Sequence, residues 1–212
     1  MFITPTWQLL WRVVKVSPGY RHSIKEGPYI TYREVSDNMP ENYIEEIVDE
    51  WLKIQGYITM RNVPFWRPSG QHRKQAAWGD IDIVAVRGNE ALLIECKEFL
   101  GTKKIPDLTK ELVLHFKEAE DVFLGRVKNP RGVPAPDLSG KRIRRLLIAA
   151  APKNIDSYRQ ALEPYGIEVI HFNNILNNLI THLKKHIKPW QKVGKYGPMA
   201  RLLIALIQYG II

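Results

Sequence analysis

The fold of this chain is decided by residues 79–97, which read GDIDIVAVRGNEALLIECK. Two runs of aliphatic residues flank a Gly-Asn pair, and this order predicts two antiparallel strands joined by a hairpin turn. Asp82 lies at the start of the first predicted strand, and Glu95 and Lys97 lie at the end of the second. The hairpin brings these ends side by side, and residues two apart on a strand point to the same face. The sequence therefore predicts an acid–acid–lysine cluster on the rim of a sheet.

Such a cluster suits the hydrolysis of phosphodiesters. Carboxylates held close together repel each other, and Mg²⁺ relieves that repulsion because it prefers hard oxygen ligands. Bound Mg²⁺, or Mn²⁺ in its place, can lower the pKa of a water and neutralise charge on a phosphoryl oxygen. A nearby ammonium can orient that water or stabilise the transition state. The alternative interpretation of the same residues is a structural salt bridge at a strand end.

The arrangement of Asp82 and Glu95-Cys96-Lys97 resembles the PD-(D/E)xK nuclease superfamily, whose fold is restriction-endonuclease-like. Ile81 stands where the proline of that signature usually precedes the Asp. Residues 79–85 are similar to the branch that holds archaeal Holliday-junction resolvases and Mrr-type restriction enzymes. Those resolvases tend to carry a small hydroxyl residue after the lysine, whereas this chain carries Glu98, which argues against junction resolution itself.

The resemblance implies a role for each motif residue. Asp82 and Glu95 would bind Mg²⁺ together with the carbonyl of Cys96, and Lys97 would position or activate the attacking water. The implied activity is a DNA nuclease, with an endonuclease favoured over an exonuclease. Many members of the superfamily work as dimers because two strands need cutting, so a homodimer is a possible assembly.

Further acids on the predicted helix 41–55 and on the first hairpin strand are secondary candidates. Glu45 borders the apolar stripe of the helix and is the candidate third catalytic acid, with an ordinary solvated glutamate as the alternative. Glu46 and Glu50 are predicted to point away from that stripe. Asp80 precedes Asp82 by two residues on the same strand face and is the second choice for the metal-binding acid.

The remaining pattern of the chain alternates between helices and strands. Predicted strands cover 57–65, 145–151 and 166–172, and predicted helices cover 107–124, 154–163, 173–187 and 199–209. This order predicts an α/β fold, a restriction-endonuclease-like core with a mixed central sheet flanked by helices. The expected organisation is an N-terminal extension over 1–39, a nuclease core over 40–188 and a C-terminal helical tail over 189–212. The tail helix would pack on the core or form a dimer interface.

Composition favours a nucleic-acid partner. The net charge is +9 and 45% of the 212 residues are hydrophobic, which indicates a globular, basic protein suited to a polyanion. The single cysteine and the lack of a long apolar run predict an intracellular, cytoplasmic setting. Candidate nucleic-acid-binding residues are His72, Arg73, Lys74, Lys103 and Lys104, and the basic segment 126–145 is a further candidate.

Two alternatives come from other functional classes. The first is a nuclease fold that binds DNA or a partner without cutting. The second is a winged-helix DNA-binding protein built around residues 29–60. That fold needs three helices before its wing, and residues 17–39 are too rich in Pro, Gly and Tyr to supply two of them.

Overall fold

The computed structural model describes residues 43–69, 75–98, 100, 104–130, 133–150, 155–187 and 196–212. The predicted N-terminal extension, 1–39, lies outside these residues. The elements run, in chain order, α1 Tyr43–Ile54, β1 Ile58–Arg67, β2 Ala77–Arg87, β3 Glu90–Lys97, α2 Ile105–Phe123, β4 Arg142–Ala149, α3 Ile155–Leu162, β5 Ile167–His171, α4 Phe172–His186 and α5 Pro198–Gln208. Every helix and strand predicted within the described residues is present, with ends shifted by a few residues.

The five strands form one mixed sheet in the order β1-β2-β3-β4-β5. β1 pairs with β2 and β2 pairs with β3 in antiparallel register, whereas β3 pairs with β4 and β4 pairs with β5 in parallel. The Gly88-Asn89 turn closes the β2–β3 hairpin, with Arg87 opposite Glu90. Gly88 adopts a φ of +56°, a left-handed conformation that glycine allows without steric cost. The predicted mixed α/β architecture is confirmed.

Helices cover both faces of this sheet, so its central strand is buried on both sides. The first core lies between the sheet and α2 and α3, and it contains Phe65, Leu93 and Phe116. The second lies between the sheet and α1, α4 and α5, and it contains Ile94 and Ile148. Leu93 and Ile94 of β3 thus serve opposite cores, as expected for a strand whose consecutive side chains alternate and whose two faces are both covered.

The C-terminal helix α5 packs on α1 through Glu50. This carboxylate is buried and accepts hydrogen bonds from the backbone N–H groups of Met199, at 3.0 Å, and Ala200. The prediction that Glu50 points away was wrong, because the first N–H groups of a helix lack partners inside that helix, and α5 brings them to α1. The prediction that α5 packs on the core is confirmed by Leu203 and Ile204, which are buried. Across the described ranges, each helix is too short or too polar to cross a membrane.

The winged-helix alternative does not describe residues 43–67. α1 packs on one face of the sheet, and β1 is an edge strand of that sheet rather than part of a separate wing.

Candidate active site

Strands β2 and β3 separate where the predicted cluster begins. Their pairing runs from the hairpin turn to Ile83 opposite Ile94. Beyond that pair, β2 continues alongside β1 as far as Ala77, and β3 continues alongside β4 as far as Lys97. A gap therefore opens inside the sheet, with Asp82 on one side and Glu95 on the other.

Asp82 bridges this gap through its side chain. The backbone N–H of Cys96 donates a hydrogen bond to Asp82 Oδ2 at 2.6 Å. The carbonyl of Lys97 accepts from Ala150, just after β4. Because successive residues of a strand present their N–H and C=O groups to opposite edges, the backbone of Cys96 faces β2. The Asp82 carboxylate thus replaces the partner that β2 no longer supplies, and the Cys96 carbonyl faces the same gap.

Glu95 lies at the centre of the cluster and is only 3% exposed. Its Oε2 accepts a hydrogen bond from Lys97 Nζ at 2.8 Å, and its Oε1 lies 2.9 Å from Nε2 of His115. The Lys97 ammonium also lies 3.9 Å from Asp82 Oδ2. The structure therefore brings Asp82, Glu95 and Lys97 together, as the hairpin pattern predicted.

His115 of α2 is a site residue that the sequence reasoning missed. Because the ionised Glu95 carboxylate can only accept, Nε2 of His115 must carry the proton. The His115 ring packs edge-on against Phe65, with 5.1 Å between ring centroids. One signal was present in the sequence: His115 follows Leu112 by three residues and precedes Phe116, which places a polar side chain on the apolar stripe of the helix.

The charges of the cluster shift the pKa of each of its members. Burial, and then the negative charge of Glu95, raise the pKa of Asp82 above its ordinary value. Burial also opposes ionisation of Glu95, but the hydrogen bond and charge of His115, together with Lys97, lower the pKa of Glu95 overall. Burial lowers the pKa of Lys97, but the charges of Glu95 and Asp82 outweigh it and raise that pKa. Glu95 and Lys97 therefore form a stable ion pair, and Asp82 is the carboxyl whose ionisation is opposed.

Glu45 approaches the gap from α1. Its side chain is buried, and its negative charge contributes to the raised pKa values of Asp82 and Cys96. Arg61 of β1 lies 3.4 Å from Glu45 Oε2 through its Nη2 and also pairs with Glu46. Glu45 is thus a buried acid beside the cluster, partly neutralised by an arginine, rather than a solvated glutamate.

The other predicted residues lie farther from the cluster or outside the described residues. Asp80 is exposed and stands opposite Pro64 on β1, so Asp82 is the better placed of the two acids. Lys104 is exposed at the N-terminus of α2, where its side chain makes no capping hydrogen bond. His72, Arg73, Lys74 and Lys103 lie outside the described residues.

Two arginines of the basic segment 126–145 form ion pairs with acids of the same chain. Arg144 makes two hydrogen bonds of 2.7 Å to Glu168, and Arg145 makes two to Glu120, at 2.5 and 2.7 Å. These bidentate pairs fasten β4 to β5 and to α2. Arg144 and Arg145 are thus engaged within the fold, and the expectation that segment 126–145 contacts nucleic acid stays a prediction.

The donor atoms at the gap fit a hard divalent cation. Asp82 and Glu95 offer carboxylate oxygens, and the backbone of Cys96 offers a carbonyl. No group of three His, Cys, Asp or Glu side chains poised for a metal occurs among the described residues. Two carboxylates and one carbonyl suit Mg²⁺, because proteins hold Mg²⁺ by one or two carboxylates and leave several of its waters in place. The Cys96 thiol is buried and its pKa is raised by that burial, so it offers no thiolate ligand.

Comparison with known proteins gives structural neighbours only. No protein-family model matches the chain, and no curated protein does. The crystal structure of AF1548, a protein of unknown function, is similar at 16% identity and a TM-score of 0.41, over 79% of this chain and 77% of that one. VC1899 from Vibrio cholerae is similar at 19% identity and a TM-score of 0.36, over 67% of this chain and 31% of that one. The small subunit, R.BspD6I2, of the heterodimeric restriction endonuclease R.BspD6I is similar at 18% identity and a TM-score of 0.41, over 84% and 95% of the respective chains. Conclusions about activity therefore depend on the site itself.

Proposed function

We propose that this chain is a Mg²⁺-dependent deoxyribonuclease that hydrolyses phosphodiester bonds at the gap between β2 and β3, as an endonuclease. The observation that carries the proposal is the convergence of an acid, a second acid and a lysine from two strands. Lys97 Nζ lies 2.8 Å from Glu95 and 3.9 Å from Asp82. This is the constellation that the resemblance to PD-(D/E)xK nucleases requires.

Each residue of the cluster has a role in this reaction. Asp82 and Glu95, with the Cys96 carbonyl, would hold the cation, which supplies a more acidic water and offsets charge on the phosphoryl oxygens when bound. Lys97 donates hydrogen bonds to the attacking water or to a non-bridging phosphate oxygen, where negative charge builds up. The water oxygen forms a bond to phosphorus and gives up a proton to solvent, and the leaving oxygen departs with the electrons of its P–O bond and takes up a proton from solvent, so that the protons balance. His115 acts through Glu95 and is a positioning residue.

A cleavage assay tests the proposal. Wild type and Lys97→Ala are incubated with labelled duplex, single-stranded and four-way-junction DNA, with Mg²⁺, with Mn²⁺ or with EDTA. Lys110→Ala is the matched control, because Lys110 is exposed on α2 and belongs to no part of the cluster. We expect metal-dependent cutting by wild type and the control, and at least ~100-fold slower cutting by Lys97→Ala, the range typical for removing one transition-state donor. Equal rates for wild type and Lys97→Ala would refute the assignment.

One observation favours a second function, a non-catalytic DNA-binding protein of the same fold. The Lys97 ammonium already offsets the negative charge of Glu95 and lies near Asp82. The cluster can therefore serve as a structural salt bridge. Under this reading no substrate is cut, DNA binding is unchanged by EDTA, and Lys97→Ala lowers thermal stability without a metal-dependent effect. The same assay, read together with a melting curve, separates the two functions.

A further inference from the structure

A pair of tryptophans lies on β1 and β2 beyond the gap. Trp66 and Trp78 stand directly opposite each other in the antiparallel ladder, and their rings meet edge to face with 5.3 Å between centroids. Directly opposed residues of an antiparallel pair share one face of the sheet. The residue Trp78 is 44% exposed, so part of the aromatic pair faces solvent there. An exposed aromatic patch of this kind indicates a binding site more often than a scattered apolar residue does.

The neighbouring pair fixes the orientation of the two tryptophans. Phe65 stands opposite Gly79 and is fully buried in the core beneath α2. A Cβ atom at position 79 would lie 2.8 Å from Cζ of Phe65, so only glycine leaves room for that ring. With Phe65 directed into the core, Trp66 and Trp78 must point to the other side of the sheet.

The tryptophan pair lies on β1 and β2, and β2 also carries Asp82 of the candidate active site. The backbone N–H of Trp66 donates to Oδ1 of Asn129 at 2.8 Å, which secures the edge strand. The Phe65 ring contacts His115, and His115 holds Glu95, on the face of the sheet opposite to the two tryptophans. Trp78 precedes Asp82 by four residues on the same strand, which corresponds to roughly 13 Å at about 3.3 Å per residue. That distance equals about four stacked nucleotides at roughly 3.4 Å each.

We propose that Trp66 and Trp78 form a stacking platform for an unpaired base of the strand whose backbone occupies the gap at Asp82, Glu95 and Lys97. The proposal rests on the proposed nuclease function and specifies its substrate as nucleic acid with a single-stranded portion. Inside a duplex, both faces of each base are covered by neighbouring bases, so an aromatic ring can stack only on a base that is unpaired or at an end. Stacking of this kind tolerates any base sequence, because every base has an aromatic face.

Binding measured without cleavage tests the platform separately from the nuclease. Fluorescence anisotropy is recorded in EDTA with labelled single-stranded DNA, blunt duplex and a forked duplex carrying an unpaired tail. The variants are Trp78→Ala, Trp78→Leu and Trp78→Phe. Ile58→Ala is the matched control, because Ile58 is an exposed apolar residue on β1. A melting curve for each variant establishes that it is folded.

We expect Trp78→Ala to weaken binding of the single strand and the fork by about 5- to 150-fold, the effect of losing one base–aromatic stack. Blunt-duplex binding should stay within about twofold of wild type, because only its two terminal base pairs expose a free face and all its other bases are covered on both sides. Trp78→Phe should retain most of the affinity, because it keeps an aromatic face. Trp78→Leu should behave like Trp78→Ala, because it keeps apolar area but no aromatic face.

Equal binding of all three DNAs by wild type and Trp78→Ala would overturn the platform, and the exposed pair would then fit a protein partner better. Full affinity in Trp78→Leu would also overturn it, because apolar area alone would then suffice. These outcomes do not depend on cleavage. If wild type cuts no DNA but Trp78→Ala weakens single-strand binding, the nuclease assignment fails and the platform stands. If wild type cuts DNA but Trp78→Ala binds the single strand as tightly as wild type does, the nuclease assignment stands and the platform fails.

Discussion

His115→Phe should weaken both the affinity of the candidate active site for Mg²⁺ and the stability of the fold. The phenylalanine ring keeps the edge-on contact with Phe65 but removes the donor that lies 2.9 Å from Glu95 Oε1. Glu95 is only 3% exposed, so water cannot readily replace the lost partner. Removing a hydrogen bond to a charged group costs about 1.5–3 kcal/mol. In a chain of this length, that free energy lowers the melting temperature by roughly 3–12 °C.

The effect on cleavage follows from the same contact. Removing a partner that orients a metal-binding carboxylate typically lowers the metal affinity by about 10- to 100-fold. We therefore expect the Mg²⁺ concentration that gives half-maximal cleavage to rise by about that factor in His115→Phe. His115→Gln, which can still donate a hydrogen bond to Glu95, should restore part of the loss. An unchanged Mg²⁺ titration together with an unchanged melting temperature in His115→Phe would refute the positioning role.

Three further predictions concern contacts away from the cluster. Glu50→Ala should destabilise the protein by about 1–3 kcal/mol, because two backbone N–H groups of α5 lose a buried acceptor. Urea unfolding measures this change in the free energy of unfolding. Glu163→Ala is the control, because Glu163 is exposed. Gly197→Ala should also be destabilising, since a Cβ there would overlap the Glu50 carboxylate, and a melting temperature equal to wild type would contradict the contact. The hydrogen bond from Tyr57, followed by those from Arg144 and Arg142, lowers the pKa of Glu90 to about 2. The stabilisation by ionised Glu90 should therefore be complete above its unfolded pKa of about 4.3 and be lost as the pH falls towards 2. Glu90→Gln should accordingly be less stable than wild type at pH 6 and converge with it in acid, as followed by urea midpoints.

Local sequence signals were sufficient for the secondary structure of the residues that the structure describes. The hairpin followed from aliphatic runs around a Gly-Asn pair, because strand alternation and turn chemistry depend on neighbouring residues. The long helix over Ile105–Phe123 followed from apolar residues at helical spacing. The pairing of Glu95 with Lys97 followed in the same way, since residues two apart on a strand must share a face.

Long-range contacts escaped the sequence reasoning. The contacts of Glu50 with Met199 and Ala200 span about 150 positions in the chain, and the local helical pattern of α1 contains no sign of α5. His115 reaches Glu95 because α2 packs on the sheet beside the gap. Arg144 and Arg145 form ion pairs with acids of other elements. In each case a charged or polar side chain finds its partner only after distant segments pack.

The amino-acid sequence by itself determined the helices, the strands and the placement of Asp82, Glu95 and Lys97 at the ends of one hairpin, because these depend on short-range periodicity; the mixed sheet followed from the order of the elements along the chain. Tertiary structure alone decided that the sheet opens between β2 and β3 at these residues, that Asp82 bridges the opening to the backbone of Cys96, and that Asp80 stays exposed. It also decided that His115 supports Glu95 and that Trp78 is exposed beside Trp66. The physical reason is that a strand's pattern specifies which face a side chain takes, whereas burial and hydrogen-bonding partners depend on which other elements cover that face.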